Sequence, residues 1–192
     1  HGGGKRISNK LDEIGLESKF IKGLRVTDKE TIKVVEEVLI NFNKEIINAL
    51  RERNCKSKSI NSKENNILIV MQENEELGFV GSPINIDQSI IDKIIADKKI
   101  PIIAPLGLDK NNQTYNVNAD TAAGYIAKKI NARRLIILSD VEGVLDNNKN
   151  LIPEINSESI KNLIDNETIT GGMIPKINNC LDVASNGVKG VV

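Results

Sequence analysis

The stretch "IPIIAPLGLDKNNQTYNVNADTAAGYIAKKINARRLIILSD" (residues 100–140) decides the fold class. It contains two short apolar runs, 100–107 and 134–140, and both predict buried strands. Between them, residues 119–130 are rich in small side chains at helical spacing and predict a helix. Because strands separated by helices are typical of a mainly parallel sheet, this stretch predicts an α/β fold.

The same alternation continues upstream of residue 100. "ILIVM" (67–71) predicts a strand, and Asp87 predicts the cap of a helix over 88–99. Near the N-terminus, Ile7, Leu11 and Ile14 predict one face of a helix that ends at Gly15. Thr27 and Glu30 predict a capping box, which is followed by two helices over 31–50 separated by a break. Residues 51–66 predict an exposed loop.

Downstream, residues 172–185 predict a last helix, and "VKGVV" (188–192) predicts the beginning of another strand. Taken together, these patterns predict an α/β domain with a mainly parallel central sheet and helices on both faces, which makes three layers. The length of 192 residues suits one such domain or two small lobes that share a core.

Composition excludes several classes of function. The 26 basic and 26 acidic residues cancel, so no overall field favours nucleic acid or an anionic membrane as a partner. Aromatic residues make up only 3% of the chain, which argues against single-stranded nucleic-acid binding by base stacking. Cys55 and Cys180 have no metal-ligand spacing, and no apolar run has membrane-spanning length, so we expect a cytoplasmic protein with reduced thiols.

The glycine run "HGGG" (1–4) allows two mechanistic interpretations. The first is the oxyanion hole of an esterase, but no serine is flanked by glycines on both sides and His1 is the only histidine, so this interpretation fails. The second is an anion cradle, in which the amides of Gly3 and Gly4 and the positive end of the following helix face a phosphate or carboxylate. An ordinary structural turn remains the alternative.

Other polar residues precede predicted helices or follow predicted strands. Arg25 offers a planar fork for a carboxylate, with a structural salt bridge as the alternative. Asn118 or Asp120 suits a helix cap, which leaves Asn116 available for a ligand. Finally, the loop with Asp140, Glu142 and Asp146 follows a predicted strand, and Lys176 follows a glycine turn, so either could face a nucleotide or its phosphates or simply lie in solvent.

The missing motifs also restrict the chemistry. The sequence has no GxxxxGK[ST] loop, no GxGxxG motif and no histidine–carboxylate cluster for zinc. Any reaction must therefore proceed without a histidine base. Phosphorylation of a carboxylate meets this condition, because a carboxylate is already ionised at neutral pH and needs only alignment and charge neutralisation.

Five stretches, in order, resemble the signatures of the amino-acid kinase family: "HGGG" (1–4), "GLRVTD" (23–28), "YNVNADTAAG" (115–124), "LSDVEGVLD" (138–146) and "ITGGMIPK" (169–176). The resemblance covers nearly the whole chain. It implies the amino-acid kinase fold and phosphoryl transfer from ATP, with Mg²⁺, to the side-chain carboxylate of N-acetyl-L-glutamate, the second step of arginine biosynthesis. It also implies an oligomer, at least a dimer.

The resemblance also implies roles for individual residues. Gly3 and Gly4 would contact the substrate and the transferring phosphoryl group, Arg25 would grip the substrate α-carboxylate, and Asn116 would hold another part of the acid. Asp120 would organise the catalytic lysines, and Lys176 would stabilise the transition state. The nucleotide site would be lined by Asp140, Val141, Glu142, Gly143, Val144, Leu145, Thr168, Ile169 and Thr170.

The resemblance has consequences for domain organisation as well. Residues 1–130 would form the acceptor lobe and 131–192 part of the nucleotide lobe of one incomplete domain. The family carries a further catalytic lysine in a Lys-x-Gly-Gly motif on an earlier strand, and this sequence does not contain it. We therefore expect an internal fragment of a longer protein that has no turnover on its own.

One segment departs from the family pattern. Many members have a glycine-rich loop where this chain has "SINSKEN" (59–65), which retains Lys63 but has Glu64 in place of an aspartate. This departure, together with the missing ends, leaves open a non-catalytic member of the fold that binds a ligand or partner. A second alternative is the related kinase that acts on carrier-protein-linked aminoadipate or glutamate, although "GLRVTD" and "YNVNADTAAG" favour the free N-acetyl amino acid.

Overall fold

The computed structural model describes residues 1–139, 142–146, 148–169 and 173–192. The helices are α1 (Gly4–Glu13), α2 (Thr31–Glu52), α3 (Gln88–Ala96), α4 (Ala119–Lys129), α5 (Ser157–Asp165) and α6 (Met173–Ser185). The strands are β1 (Phe20–Ile21), β2 (Leu24–Arg25), β3 (Ser57–Ile60), β4 (Leu68–Gln72), β5 (Gly81–Ile86), β6 (Ile100–Ile103), β7 (Leu106–Leu108) and β8 (Thr114–Asn116).

The strands combine parallel pairs with antiparallel hairpins. β3 pairs in parallel with β6, and β4 in parallel with β7. β5 and β8 lie antiparallel at the two ends of the four-stranded sheet β5-β4-β7-β8, and β1 and β2 form a separate antiparallel hairpin. The predicted α/β class with parallel strands is confirmed, and the antiparallel hairpins add to it.

Helices pack against the strands from two sides and form two of the three hydrophobic clusters found among the described residues; the third lies between α4 and α6. The first core joins α3 and α4 to the strands, and it includes Ile91, Ile126, Leu68 and Val70. The second core joins α1 and α2 to the residues around Pro105, and Leu11, Val35, Leu39 and Leu106 belong to it. This arrangement agrees with helices on both faces, because each core takes its helical residues from a different pair of helices.

The prediction of two helices over 31–50 is wrong, because α2 runs without interruption for 22 residues. The supposed break contains neither glycine nor proline. Its central residue, Asn43, is fully buried and continues the buried face of Ile32, Val35 and Leu39. The polar residues around Asn43 therefore suggested that the helix ends there, whereas Asn43 lies on its buried face.

The predicted capping box is also wrong. Thr27 is fully buried, and its hydroxyl donates to the carbonyl of Arg25 at 2.8 Å. Asp28 serves the start of α2 instead, because its carboxylate accepts from the amides of Glu30 (3.0 Å) and Thr31 (2.8 Å). These bonds lower the pKa of Asp28. The cap predicted at Asp87 is confirmed by its bond from the Ser89 amide.

The predicted exposed loop over 51–66 contains a buried strand, β3, with Ser59, Ile60 and Asn61 all buried. Its polar residues tolerate burial because they bond to each other, as Asn61 does to Ser59 at 2.8 Å. The following turn is held by Glu36 of α2, which accepts from Ser62 at 2.6 Å and pairs with Lys63 at 3.2 Å.

Both apolar runs of the stretch 100–140 differ from prediction. Residues 100–107 split between β6 and β7, which belong to different sheets. The described residues of the second run, 134–139, are not a buried strand: Leu135 forms an isolated parallel bridge to Val191, the Ile137 amide donates to the Val192 carbonyl at 2.6 Å, and Leu138 is 91% exposed. The helix between them, α4, is confirmed.

The N-terminal helix prediction is confirmed for Ile7 and Leu11, which are buried, whereas Ile14 lies beyond α1 and is half exposed.

Among the described residues, no helix combines the length and apolarity needed to cross a membrane.

Candidate active site

A cleft of about 190 Å³, which we call the glycine-turn cleft, lies beside the first residues of the chain. Its lining comes from the glycine turn before α1, the β1–β2 hairpin, the end of β8 and the start of α4. Gly3, Gly4, Arg25 and Asn116 all line it, although they are spread over more than a hundred positions in the sequence. The four predicted substrate-binding residues therefore lie together.

The glycine turn presents a helix N-terminus to this cleft. Gly3 is the N-cap of α1, and no side chain caps the helix or places an acidic group in its first turn. The first amides of a helix lack intrahelical partners and form the positive end of its dipole. A Cβ on Gly3 would lie 2.6 Å from Cδ2 of Leu39, so the turn is closely packed against α2.

Arg25 brings a buried positive charge to the same cleft. It is 7% exposed, and its guanidinium donates to the hydroxyls of Ser18 (2.6 Å) and Ser8 (2.9 Å) and to the carbonyl of Gly4 (3.1 Å). Among the described residues, no carboxylate lies within ion-pair distance of it. Desolvation by burial lowers the pKa of Arg25, although an arginine still keeps its charge at neutral pH.

Thr27 connects Arg25 to Asn116. Its hydroxyl donates to the Arg25 carbonyl and accepts from Nδ2 of Asn116 at 3.3 Å. Asn116 is the last residue of β8, and its backbone N–H donates to the Phe79 carbonyl at 2.9 Å. Thr27 thus links the Asn116 side chain to the backbone of the hairpin residue that carries the Arg25 guanidinium.

The predicted catalytic residues Asp120, at the start of α4, and Lys176, in α6, lie close together. Asn118 is the helix cap and accepts from the Thr121 amide at 3.0 Å, which leaves the Asp120 carboxylate available for other contacts. Nζ of Lys176, in the second turn of α6, lies 3.5 Å from Oδ2 of Asp120. Asn179 also joins the two helices, because its Nδ2 donates to the Asp120 carbonyl at 2.8 Å.

Close packing of α4 on α6 depends on Gly124. A Cβ at this position would lie 2.7 Å from Cγ2 of Val183 and 2.8 Å from Oδ1 of Asn179. We expect Gly124→Ala to move the helices apart, to weaken the contact of Lys176 with Asp120, and to lower kcat roughly tenfold or more. Steady-state kinetics on the full-length protein will measure this, with Lys129→Ala, an exposed α4 variant, as the control. Equal kcat values for the two variants would contradict it.

The described residues among those predicted to line the nucleotide site lie outside the glycine-turn cleft. Asp140, Val141 and Thr170 are outside the described residues. Glu142, Gly143, Val144 and Leu145 lead into a hairpin in which Leu145 pairs with Leu151, while Thr168 is half-buried and Ile169 is buried. None of the described members lines the glycine-turn cleft. A nucleotide site at these residues stays a prediction.

Sequence reasoning missed three polar residues that shape the cleft, namely Ser8, Ser18 and Thr27. Thr27 lies inside the quoted stretch "GLRVTD", two residues after Arg25, but it was predicted to cap a helix. Ser8 lies one turn after Gly4 in α1, which was a usable signal. Ser18 carries no local signal, since it lies outside any helix or strand.

Comparisons with known proteins identify the family of this chain. The family model described as "Amino acid kinase family" matches residues 1–192. The chain is 66% identical over its whole length to an acetylglutamate kinase from Pelagibacter ubique and 40% identical to one from Rhodospirillum centenum, and it spans about two thirds (67% and 68%) of those proteins. A solved structure from Streptococcus mutans, smu.665, has a TM-score of 0.94 at 31% identity and covers all of this chain and 79% of its own. This chain belongs to the amino acid kinase family.

Proposed function

We propose that this protein transfers the γ-phosphoryl group of ATP to the side-chain carboxylate of N-acetyl-L-glutamate. The single observation that carries the proposal is Arg25, a buried guanidinium with no ion-pair partner among the described residues, in a cleft that also presents an uncapped helix N-terminus. A buried charge is costly unless it is paired, so such a site favours an anionic ligand. A dicarboxylic acid supplies one carboxylate for the Arg25 guanidinium and one for the helix N-terminus.

The proposed reaction needs no general base. An oxygen of the side-chain carboxylate forms a bond to the γ-phosphorus while the bond to the β–γ bridging oxygen breaks, and ADP leaves with that electron pair. No proton is transferred, because the carboxylate is already ionised at neutral pH. What the protein must supply is alignment and neutralisation of the charge on the transferring group.

The cleft residues have complementary proposed roles. Arg25 binds the α-carboxylate of the acceptor, and Asn116 binds another of its polar groups. The amides of Gly3 and Gly4 bind the reacting carboxylate and the transferring phosphoryl group. Asp120 holds Lys176, whose ammonium neutralises charge that develops in the transition state. These roles would place the acceptor against residues 1–130.

The phosphoryl donor is the second half of the proposal. ATP would lie against residues 142–145 and 168–169, and Mg²⁺ would arrive with its phosphates. Among the described residues, no cluster of three or more histidine, cysteine or acidic residues could hold a metal ion. At phosphoryl-transfer sites a magnesium ion is usually coordinated mainly by nucleotide phosphates and water, together with one or two carboxylates.

Acyl phosphate trapping tests the proposal directly. The full-length protein is incubated with ATP, Mg²⁺, free N-acetyl-L-glutamate and hydroxylamine, and hydroxamate formation is measured. We expect hydroxamate that requires both substrates. A control with N-acetyl-L-aspartate, one methylene shorter, should give much less product. Folded protein that forms no hydroxamate would contradict the proposal, and activity only with a carrier-protein-linked acid would favour the related kinase instead.

A further inference from the structure

A fully buried asparagine in the middle of α2 contacts the residue that precedes the glycine turn. Nδ2 of Asn43 lies 2.9 Å from the carbonyl oxygen of Ile102, in β6, and 3.0 Å from Nε2 of His1. Its Oδ1 is buried without a hydrogen-bond partner among the described residues. A buried polar atom without a partner costs free energy, and the bonds that Nδ2 makes at the other end of the amide offset part of this cost.

The hydrogen bonds fix the orientation of Asn43 and the tautomer of His1. An amide nitrogen has two hydrogens and accepts none. If Oδ1 and Nδ2 of Asn43 were exchanged, an oxygen would face the carbonyl of Ile102. With the observed orientation, His1 Nε2 must accept, so its proton lies on Nδ1, which is 2.9 Å from the carbonyl oxygen of Gly2. The network therefore assigns a neutral His1 with the proton on Nδ1.

The other contacts of His1 restrain the same residue further. Its ring packs edge-on against Phe42 with the centroids 5.2 Å apart. Its backbone nitrogen donates to the carbonyl of Ile103 at 3.1 Å. The ring is held at both nitrogens and on its side, and the backbone is held to β6. The next residues along the chain are Gly2, Gly3 and Gly4, which line the cleft.

We propose that Asn43 is a positioning residue for phosphoryl transfer. It holds neutral His1, and His1 in turn fixes the direction in which the chain enters the glycine turn. The inference rests on the proposed function, because the turn matters for catalysis only if its amides contact the reacting groups. Three consecutive glycines restrict their own backbone very little, so their geometry must be imposed by neighbours.

The first test is spectroscopic and independent of activity. The imidazole nitrogen-15 signals of the full-length protein that are lost in His1→Gln belong to His1, and their shifts report its tautomer. We expect the Nδ1-protonated tautomer in the unaltered chain. Asn43→Leu removes the donor to Nε2 and should shift the imidazole nitrogen-15 resonances of His1 and the amide resonances of Gly2, Gly3 and Gly4, while the Gly2 carbonyl still favours the proton on Nδ1. Shifts no larger than those caused by another core substitution on α2 would overturn the proposal.

A second variant guards against the possibility that Asn43→Leu fails to fold. Asn43→Asp keeps the shape of the side chain and places a carboxylate beside His1 Nε2. We expect it to draw a proton onto Nε2, so that both ring nitrogens give the protonated signal near neutral pH. A neutral, Nδ1-protonated His1 in folded Asn43→Asp would show that the two side chains are not coupled and would contradict the proposal.

The kinetic test uses the full-length protein and the hydroxamate assay. We expect Asn43→Leu to lower kcat by about 10- to 100-fold, since misplacement of a binding element by about 1 Å costs this much. KM for N-acetyl-L-glutamate should change by less than about threefold. Val35→Ala is the matched control, because Val35 is also fully buried on α2 but lies in the core away from His1.

The possible results separate the two proposals. Equal kcat values for Asn43→Leu and Val35→Ala would mean that Asn43 only stabilises the fold, and would overturn the positioning role. If the unaltered protein forms no hydroxamate, the proposed function fails, and a positioning role in that reaction fails with it. The tautomer measurement then still decides whether Asn43 holds His1.

Discussion

Replacing Lys176 with alanine is expected to lower kcat for acyl phosphate formation by roughly 100- to 1,000-fold, as the loss of a preorganised charge-stabilising group does in other enzymes. The reason is the placement of Lys176 near the start of α6, 3.5 Å from Asp120. If its ammonium acts chiefly on charge that develops during transfer, substrate binding is little affected and KM for either substrate should change by less than about threefold.

The control for Lys176→Ala is Lys128→Ala. Lys128 also forms an ion pair between α4 and α6, with Asp182, but near the other end of α4. Its loss should leave kcat within about twofold, which separates catalysis from simple docking of the two helices. A large rise in KM for ATP with an unchanged kcat would instead make Lys176 a ground-state binder of the nucleotide.

Replacing Arg25 with alanine is expected to raise KM for N-acetyl-L-glutamate roughly 100-fold, because it leaves a substrate carboxylate desolvated without its charged partner. The effect should fall mainly on KM, since Arg25 is proposed to grip a part of the acceptor that does not react. KM for ATP should stay within about threefold. Initial-rate kinetics with each substrate varied in turn will measure both values.

Two variants sharpen the Arg25 test. Arg25→Lys keeps the charge but loses the planar fork that reaches both Ser8 and Ser18, so it should recover only part of the affinity. Arg53→Ala removes an exposed arginine at the end of α2 and should behave as the unaltered protein does. An unchanged KM in folded Arg25→Ala would show that Arg25 is a structural residue of the hairpin.

Local patterns predicted the elements whose stability is local. Helices α3 and α4 followed from apolar spacing and their caps. These features depend on neighbours three or four positions away, which a single sequence displays directly.

What the sequence could not show depends on contacts between distant residues. Asn43 looked like a break in a helix because its partners, His1 and the carbonyl of Ile102, lie far along the chain. Strand β3 looked like a loop because its polar residues are satisfied only within the folded pair with β6. Sequence patterns predict that such polar residues are exposed, because the distant hydrogen-bond partners that permit their burial do not show in the local sequence.

The bond network through Thr27 has a consequence for how the acceptor is held at its α carbon. Because one hydroxyl bonds both the Arg25 backbone and the Asn116 side chain, the point at which the Arg25 side chain leaves the hairpin is tied to the position of the Asn116 amide group. With the proposed roles, Thr27 sets the spacing between the residue that binds the α-carboxylate and the residue that binds another polar group of the acid. Selection for the groups attached to the α carbon would then depend on Thr27, a residue that need not contact the acceptor at all.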